Sequence, residues 1–317
     1  MAWCDAGIGK TRTSMIRHLV HDEIDKALWD AMLLKCVNRI WYMQSWVLDI
    51  ASPGWEALMD EESGAIMPLT WRRKWGSNYL FQPYGLQQQG VFAPRVDVAL
   101  CEAFLAAVPR RFAYWDIYLN ESMHIKAGID ERVSENTQQT ILLNADAATL
   151  RSGYSQGHRR NLRKAAKDGS PITEQVGAPE FVGIFKRTTV ERFGAGPSGS
   201  MDVLERLIVS AIERGQCRML GMRDGDVLIA AACFMEWNGR AIFFKSANDA
   251  VGLERQAMFR ITDRYIADHA ATGILLDFAG SNTASVARFN AGFGARSTVY
   301  LRLVRNRLPL PLKWFKT

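Results

Sequence analysis

The sequence predicts an α/β (α+β) fold of two tandem units, each a mixed, mostly antiparallel sheet flanked by helices. Three observations predict it. The runs "CRMLGMR", "VLIAAACFMEW" and "RAIFFKSA" are separated by Asp224-Gly225 and Asn238-Gly239, dipeptides suited to tight hairpins because both turn positions favour φ > 0. A helical stretch, "LERQAMFRITDRYIADHAATG", follows them. It groups Met258, Ile261, Tyr265, Ile266 and His269 near one face, stops at Gly273, and leads into the strand "ILLDF". The first half then shows the same order of features. Trp55 and Cys217, Phe81 and Phe243, and Asp116 and Asp277 keep a nearly constant offset, the mark of an internal repeat.

Taken in order, "KALWDAMLLKCVNRIWYMQSWVLDI" reads as helical and "WEALMDE", "SGAIMPLTWRR" and "NYLFQPY" as three strands. "VDVALCEAFLAAVPRR" is a helix and "YWDIYLN" the closing strand. In the second half, "APEFVGIFKRTTVERF" and "MDVLERLIVSAIERG" are the helices before the meander. The expected division is a disordered extension over 1–15, a first unit over 16–150 and a second over 151–317. A basic helix joins the units.

The chain has 317 residues and a net charge of +6, with a pI near 9.1, which points to an anionic partner without choosing one. The charge concentrates in "HRRNLRKAAK", where Arg159, Arg163 and Lys167 share a helical face with Arg160 beside them. That face is either a phosphate-gripping surface, as for tRNA, or simply solvated. The longest apolar run, Val227–Met235, is far short of the roughly 20 residues that span a bilayer, and no signal peptide is visible. "LPLPLKWFKT" allows at most weak membrane-surface contact. Five scattered cysteines without a C-x-x-C pair suggest reduced thiols and a cytoplasmic address. His18 and His21 lack a third ligand, so no metal is expected.

Two nucleotide-binding look-alikes fail on context. Gly194, Gly196 and Gly199 spell G-x-G-x-x-G, but a dinucleotide fingerprint needs a strand before it and a helix starting at its last glycine. The residues before Gly194 are helical and Pro197 sits inside the motif, so "GAGPSG" reads as an inter-helix loop that could act as a lid. "GIGKT" has Cys4 where a P-loop requires glycine.

"ILLDFAGSNTASVARFNAGFGARSTVYLRL" reads as strand, tight exit, helix and final strand, with Ser281 or Asn282 capping the helix and Val286 and Phe289 giving it a buried face. Asn282, Phe289, Gly292 and Phe293 resemble the final motif of the GCN5-related acetyltransferase (GNAT) superfamily, although the Gly-Phe falls one residue early. Tandem copies, with "YSQGHRRNLRKAAKDG" entering the second, look most like the Fem-type aminoacyltransferases and their bacterial relatives. The resemblance implies an N-acyltransferase acting on a peptide- or sugar-like amine, or another small polar amine. Acyl-CoA is the usual donor of the superfamily, and aminoacyl-tRNA that of the Fem type. Two departures matter. Where GNAT enzymes hold a pyrophosphate on a glycine-rich loop, "NDAVGLERQAM" has only Gly252, and the family's tyrosine acid falls near Phe289. A GNAT fold that has lost catalysis and only binds is therefore the competing expectation.

Acyl transfer needs a positioned amine, a polarised carbonyl and a protonated leaving group. In this superfamily the carbonyl is polarised by backbone N–H where two strands splay, here between Lys245–Ala247 and Asp277–Gly280. Asp277 is the expected general base. Lys245 is expected to hold a substrate anion or pair with Asp277, and Glu236 is a second base candidate. Ser246, Asn248, Gly252 and Arg255 would line the donor side, and Gly280, Ser281 and Asn282 the strand exit. In the first half, Gln82, Tyr84, Gln87, Gln88 and Gln89 offer neutral hydrogen-bonding groups suited to a polar acceptor.

Overall fold

The computed structural model describes residues 15–313 apart from 75, 127, 192, 193, 195 and 281. "GIGKT", all but the last residue of the expected extension, and Ser281 lie outside the described residues. The chain builds one sheet of three strands, β1 (Arg17–Leu19), β2 (Glu56–Asp60) and β3 (Ala65–Leu69). The second sheet has ten.

The helix expected over residues 26–50 divides into α1 (Lys26–Lys35) and α2 (Ser45–Ala51). Asn38 is drawn out of helical geometry by distant partners. Its amide donates to the Val91 carbonyl and to Asn120, and accepts from the Ala93 N–H. Asp30 of α1 then accepts from both the backbone N–H and the hydroxyl of Ser45, opening α2. The single strand expected over residues 63–73 also divides. Pro68 has no N–H to give a further neighbour, so β3 ends its sheet, and the chain enters the large sheet as β4 (Trp71–Lys74) and β5 (Ser77–Phe81).

The remaining elements are α3 (Val98–Ala107), β6 (Phe112–Tyr118), β7 (Glu131–Leu142), α4 (Ala147–Ser152) and α5 (Gln156–Ala165). Then come β8 (Ile172–Thr173), α6 (Ala178–Phe185) and α7 (Ser200–Glu213). The meander is β9 (Cys217–Asp224), β10 (Val227–Trp237) and β11 (Arg240–Asn248). The chain closes with α8 (Ala250–Glu254), α9 (Ala257–Asp268), β12 (Leu275–Gly280), α10 (Ala284–Ala291) and β13 (Arg296–Asn306).

Strand order in the large sheet is β4-β5-β6-β13-β7-β12-β11-β10-β9-β8. The repeat read from the sequence appears here as register. β5 runs parallel to β6 with Phe81 opposite Asp116, and β11 runs parallel to β12 with Ile242 opposite Asp277. The sheet also shows what the repeat hid. Each unit's last strand crosses to the other: β13 lies against β6, and β7 against β12. The two strands pair with each other from Arg296–Thr140 to Arg305–Glu131. The exchange ties the two units into one ladder.

Candidate active site

The site begins where β11 and β12 stop pairing. Their parallel ladder runs only from Arg240–Leu275 to Ile242–Asp277. Beyond it, both strands are distorted. In β11, Lys245 opposes Cys233 and Phe243 opposes Phe234, which leaves Phe244 as an inserted residue. Such a bulge brings neighbouring side chains to one face, and the Lys245 ammonium lies over the rings of both Tyr84 and Phe244, 5.1 and 5.7 Å from their centroids. In β12, Ala279 takes φ of 57°, a left-handed conformation that costs a non-glycine residue about 1 kcal/mol or more. The Asp277 carboxylate stabilises that kink by accepting from the Ala279 N–H at 2.8 Å.

Two chambers meet at the splay and share Phe243, Ser246, Phe278 and Val286. One, of about 450 Å³, is mainly apolar, walled by Leu253, Met258, Phe259 and Phe289. The other, of about 420 Å³, is polar and aromatic, with Tyr42, Gln87, Tyr118, Lys245, Asn282 and Tyr300 on its wall. β11 N–H groups past Ile242 have no ladder partner on the β12 side, which suits them to polarise a carbonyl held between the chambers.

Lys245 makes no ion pair among the described residues, and burial pushes its ammonium below the usual lysine range. It does not pair with Asp277, as the sequence allowed. Asp277 is fully buried and receives Arg240 at 2.6 and 3.1 Å, while Arg240 also donates to Glu121. The Asp277 carboxylate thus ties β12 to Arg240 and to the Ala279 kink. Tyr300, which the sequence reading missed, is buried in the polar chamber. Its oxygen accepts from the Asn282 amide at 3.3 Å, and burial raises its pKa, so it keeps a proton to donate. It lies inside the stretch Ile274–Leu303, but it reaches this chamber through the pairing of β13 with β6 and β7.

The other expected site residues separate clearly. Glu236 stands at the far end of the β10–β11 hairpin, bonded to the Tyr265 hydroxyl at 2.7 Å and 3.4 Å from His269. Burial works to raise its carboxyl, but those two partners outweigh it and hold it low. Gln88 and Gln89 are buried and spent internally, on Gln138 and Glu121 and on Thr70, Phe81 and Gln82. Gln82 is likewise committed to Leu86 and Tyr118. Gln87 differs. Its amide is buried on the wall of the polar chamber beside the Tyr300 hydroxyl, a disposition that suits a substrate's polar group.

On the apolar side, Ser246 and Asn248 line the chamber, and the Asn248 carbonyl oxygen has no hydrogen-bond partner. Gly252 is required by packing: a Cβ there would lie 2.6 Å from the Ile229 carbonyl oxygen. Its N–H is capped by Asp249 at 2.8 Å, so a carboxylate already holds the start of α8. Arg255 pairs with Asp224 at 2.8 Å and faces away. Gly280 and Asn282 line the polar chamber. Asn282 does not cap α10, whose N-cap is Thr283 without a side-chain cap bond; the Asn282 side-chain oxygen accepts from the Thr137 N–H instead. Val286 faces the chambers, whereas Phe289 lines the apolar chamber and also packs against His158, Phe259 and Phe293 as expected of a buried face. The Gly292-Phe293 pair is explained by His158. A Cβ at Gly292 would overlap the imidazole, and Phe293 meets it edge-on at 4.6 Å. Arg159 donates to the carbonyls of Ser152 and Tyr154, whereas Arg160 is exposed.

His158 gives a testable pH dependence. Burial lowers its pKa, against the opposing effect of its bond to the Phe289 carbonyl. Below about pH 6.5 the unfolded chain takes up a proton that the folded protein resists. Stability is therefore complete above that pH and falls as pH drops. Melting temperatures from pH 7.5 to 5 should decline more steeply for the wild type than for His158→Asn. Parallel curves would show that His158 is protonated in the fold.

Among the described residues, no helix is long and apolar enough to cross a membrane, and no cluster of three or more His, Cys, Asp or Glu side chains could hold a metal. Residues 152–284 match the family model described as an acetyltransferase (GNAT) domain. No curated protein matches the sequence. The crystal structure of FemX superposes with a TM-score of 0.65 at 11% identity, covering 95% of this chain and 99% of its own. A conserved protein of unknown function from Bacteroides thetaiotaomicron gives 0.61 at 9% identity over 92% of this chain and 100% of that one. The C-terminal domain of a lysylphosphatidylglycerol synthetase from Agrobacterium fabrum, itself assigned by name only, gives 0.53 at 12% over 92% and 94%. An acetyltransferase (GNAT) domain model thus matches residues 152–284, and the chain shares the fold of FemX over most of its length.

Proposed function

We propose that this acyltransferase moves an acyl group onto an amine of a polar acceptor, with the donor in the apolar chamber and the acceptor in the polar one. The observation that carries the reading is the meeting of two chemically different chambers at one strand splay. The carbonyl sits against the free β11 N–H groups, and the amine attacks from the Lys245 side. Tyr300 protonates the leaving group as the tetrahedral intermediate collapses, and the surplus proton of the new amide nitrogen leaves to solvent. Lys245 anchors the acceptor through an acidic group.

The donor that fits best is an aminoacyl ester, as on aminoacyl-tRNA, rather than acyl-CoA. Asp249 places a carboxylate where a CoA pyrophosphate would need bare N–H groups. Arg160, Arg163, Lys164 and Lys167 on and after α5 make no ion pair among the described residues, which leaves them for phosphates. The names of FemX and of the lysylphosphatidylglycerol synthetase point the same way. The division into units over 16–150 and 151–317 fits this reading, the second unit supplying both walls of the splay.

Thermal unfolding with acetyl-CoA, longer acyl-CoAs or mixed aminoacyl-tRNA tests the donor. A ligand at a hundredfold its Kd adds about 2.7 kcal/mol. Stabilisation by aminoacyl-tRNA alone, fading with salt, is expected; stabilisation by acyl-CoA alone overturns the assignment. Tyr300→Phe should lower kcat roughly a hundredfold with KM little changed. An unchanged kcat removes Tyr300 from the chemistry.

A further inference from the structure

We infer that the acceptor is an extended amine with two anionic groups, one held by Lys245 beside the splay and the other by Arg72 in an adjoining cavity. The inference rests on the acceptor side proposed above and adds to it the acceptor's charge and length.

The second cavity, of about 520 Å³, lies in the first unit under residues 197–200. It adjoins the polar chamber: Tyr118 lines both, and Tyr84, which carries the Lys245 ammonium over its ring, lines the second. Gly196 of the covering loop packs directly on Tyr84, where a Cβ would come within 3.0 Å of the ring. The paired volumes suit a molecule larger than one amino acid.

The wall chemistry is selective. Asp116, the one carboxylate on this wall among the described residues, is already held by Arg302 in a two-bond pair at 2.7 and 2.8 Å. Gln82 has spent its amide inside the fold. Arg72 has not. Its guanidinium stacks over Phe81 at 4.7 Å and near Tyr79 at 5.9 Å, and it makes no ion pair among the described residues. Stacking presents the planar donor fork edge-on, which matches a carboxylate or phosphate. Two unpaired cations therefore mark two adjoining, aromatic-walled cavities. A neutral or cationic acceptor would leave both unneutralised.

The test uses peptides that begin with aspartate and continue with one to four alanines. They offer an α-amine, a nearby carboxylate for Lys245 and a distant C-terminal carboxylate for Arg72. Asparagine in place of aspartate removes the first anion, a C-terminal amide removes the second, and phosphoserine in place of aspartate tests phosphate against carboxylate. Binding is measured calorimetrically to the wild type, Arg72→Gln and Lys245→Gln, each shown to be folded by its melting transition. Each anion should tighten wild-type binding roughly tenfold at one favoured peptide length. Arg72→Gln should erase only the effect of the C-terminal amide, and Lys245→Gln only that of asparagine. Equal binding of charged and amidated peptides, or a C-terminal effect that persists in Arg72→Gln, overturns the inference. Acylation of the same peptides, followed by mass spectrometry, separates it from the functional reading. Selective binding without transfer counts against the acyltransfer assignment alone, whereas transfer to neutral peptides at equal rate counts against the two-anion acceptor alone.

Discussion

Lys245→Met is expected to make the protein more stable while weakening acyl transfer. The wild-type ammonium is half-buried between Tyr84 and Phe244 without a carboxylate to neutralise it, and burial lowers its pKa. A folded-state lysine pKa below its unfolded value means the unfolded chain binds the proton more tightly, so the charge opposes folding at neutral pH. Methionine has a similar stem and no charge to desolvate. The gain should be about 1 kcal/mol, roughly 2 °C in a chain of this size. The pH dependence supplies the sign. Wild-type stability should rise as pH climbs through the lowered lysine pKa towards about 10.4, and the variant should lack that rise. Activity should move the opposite way, by roughly tenfold in kcat/KM, because a charge-assisted bond to the acceptor is lost. Lower stability together with normal transfer would show that Lys245 is a packing residue.

The second large effect belongs to Asp277. Asp277→Ala removes the carboxylate that faces Arg240 and leaves a guanidinium only 13% exposed with Glu121 as its remaining ion-pair partner. Breaking a buried pair from one side costs about 3–5 kcal/mol, and the left-handed Ala279 also loses its acceptor. Denaturant unfolding should register that loss. Replacing both partners with apolar residues, Arg240→Met with Asp277→Leu, should recover much of the pair's share, since no buried charge is then left alone. A general base behaves differently. Asp277→Asn would then keep wild-type stability while the acidic limb of the kcat/KM profile disappeared, and that result would restore Asp277 as the proton acceptor.

These two residues show how far the candidate site was legible. The pattern "ILLDFAG" marks the splay because an apolar strand ending in a polar exit is visible in one dimension. The role of Asp277 is not visible, because it depends on Arg240, a residue that no motif connects to it. Likewise a run of three glutamines reads as one recognition loop, yet turns separate their fates. Gln88 and Gln89 are consumed by β7 and by the first unit, and only Gln87 is left facing a chamber.

The amino-acid sequence by itself determined the second-half meander and most helices, but not β1, β7 or β8, nor that β2 and β3 form a sheet of their own. Asn238-Gly239 sets one hairpin with both residues at positive φ, the other turn falls one residue later than expected, at Gly225-Asp226 with Gly225 alone at positive φ, and helical periodicity buried Met258, Ile261, Tyr265 and Ile266 as expected. These are short-range effects, complete within a few residues. Only the tertiary structure decided the exchange of β7 and β13, the division of the first helix at Asn38, and the convergence of Tyr300, Gln87 and Lys245 on one chamber. Each of these depends on partners far apart in the chain. Their energies come from ladder pairing and from satisfying buried polar groups, which the order of residues alone does not display.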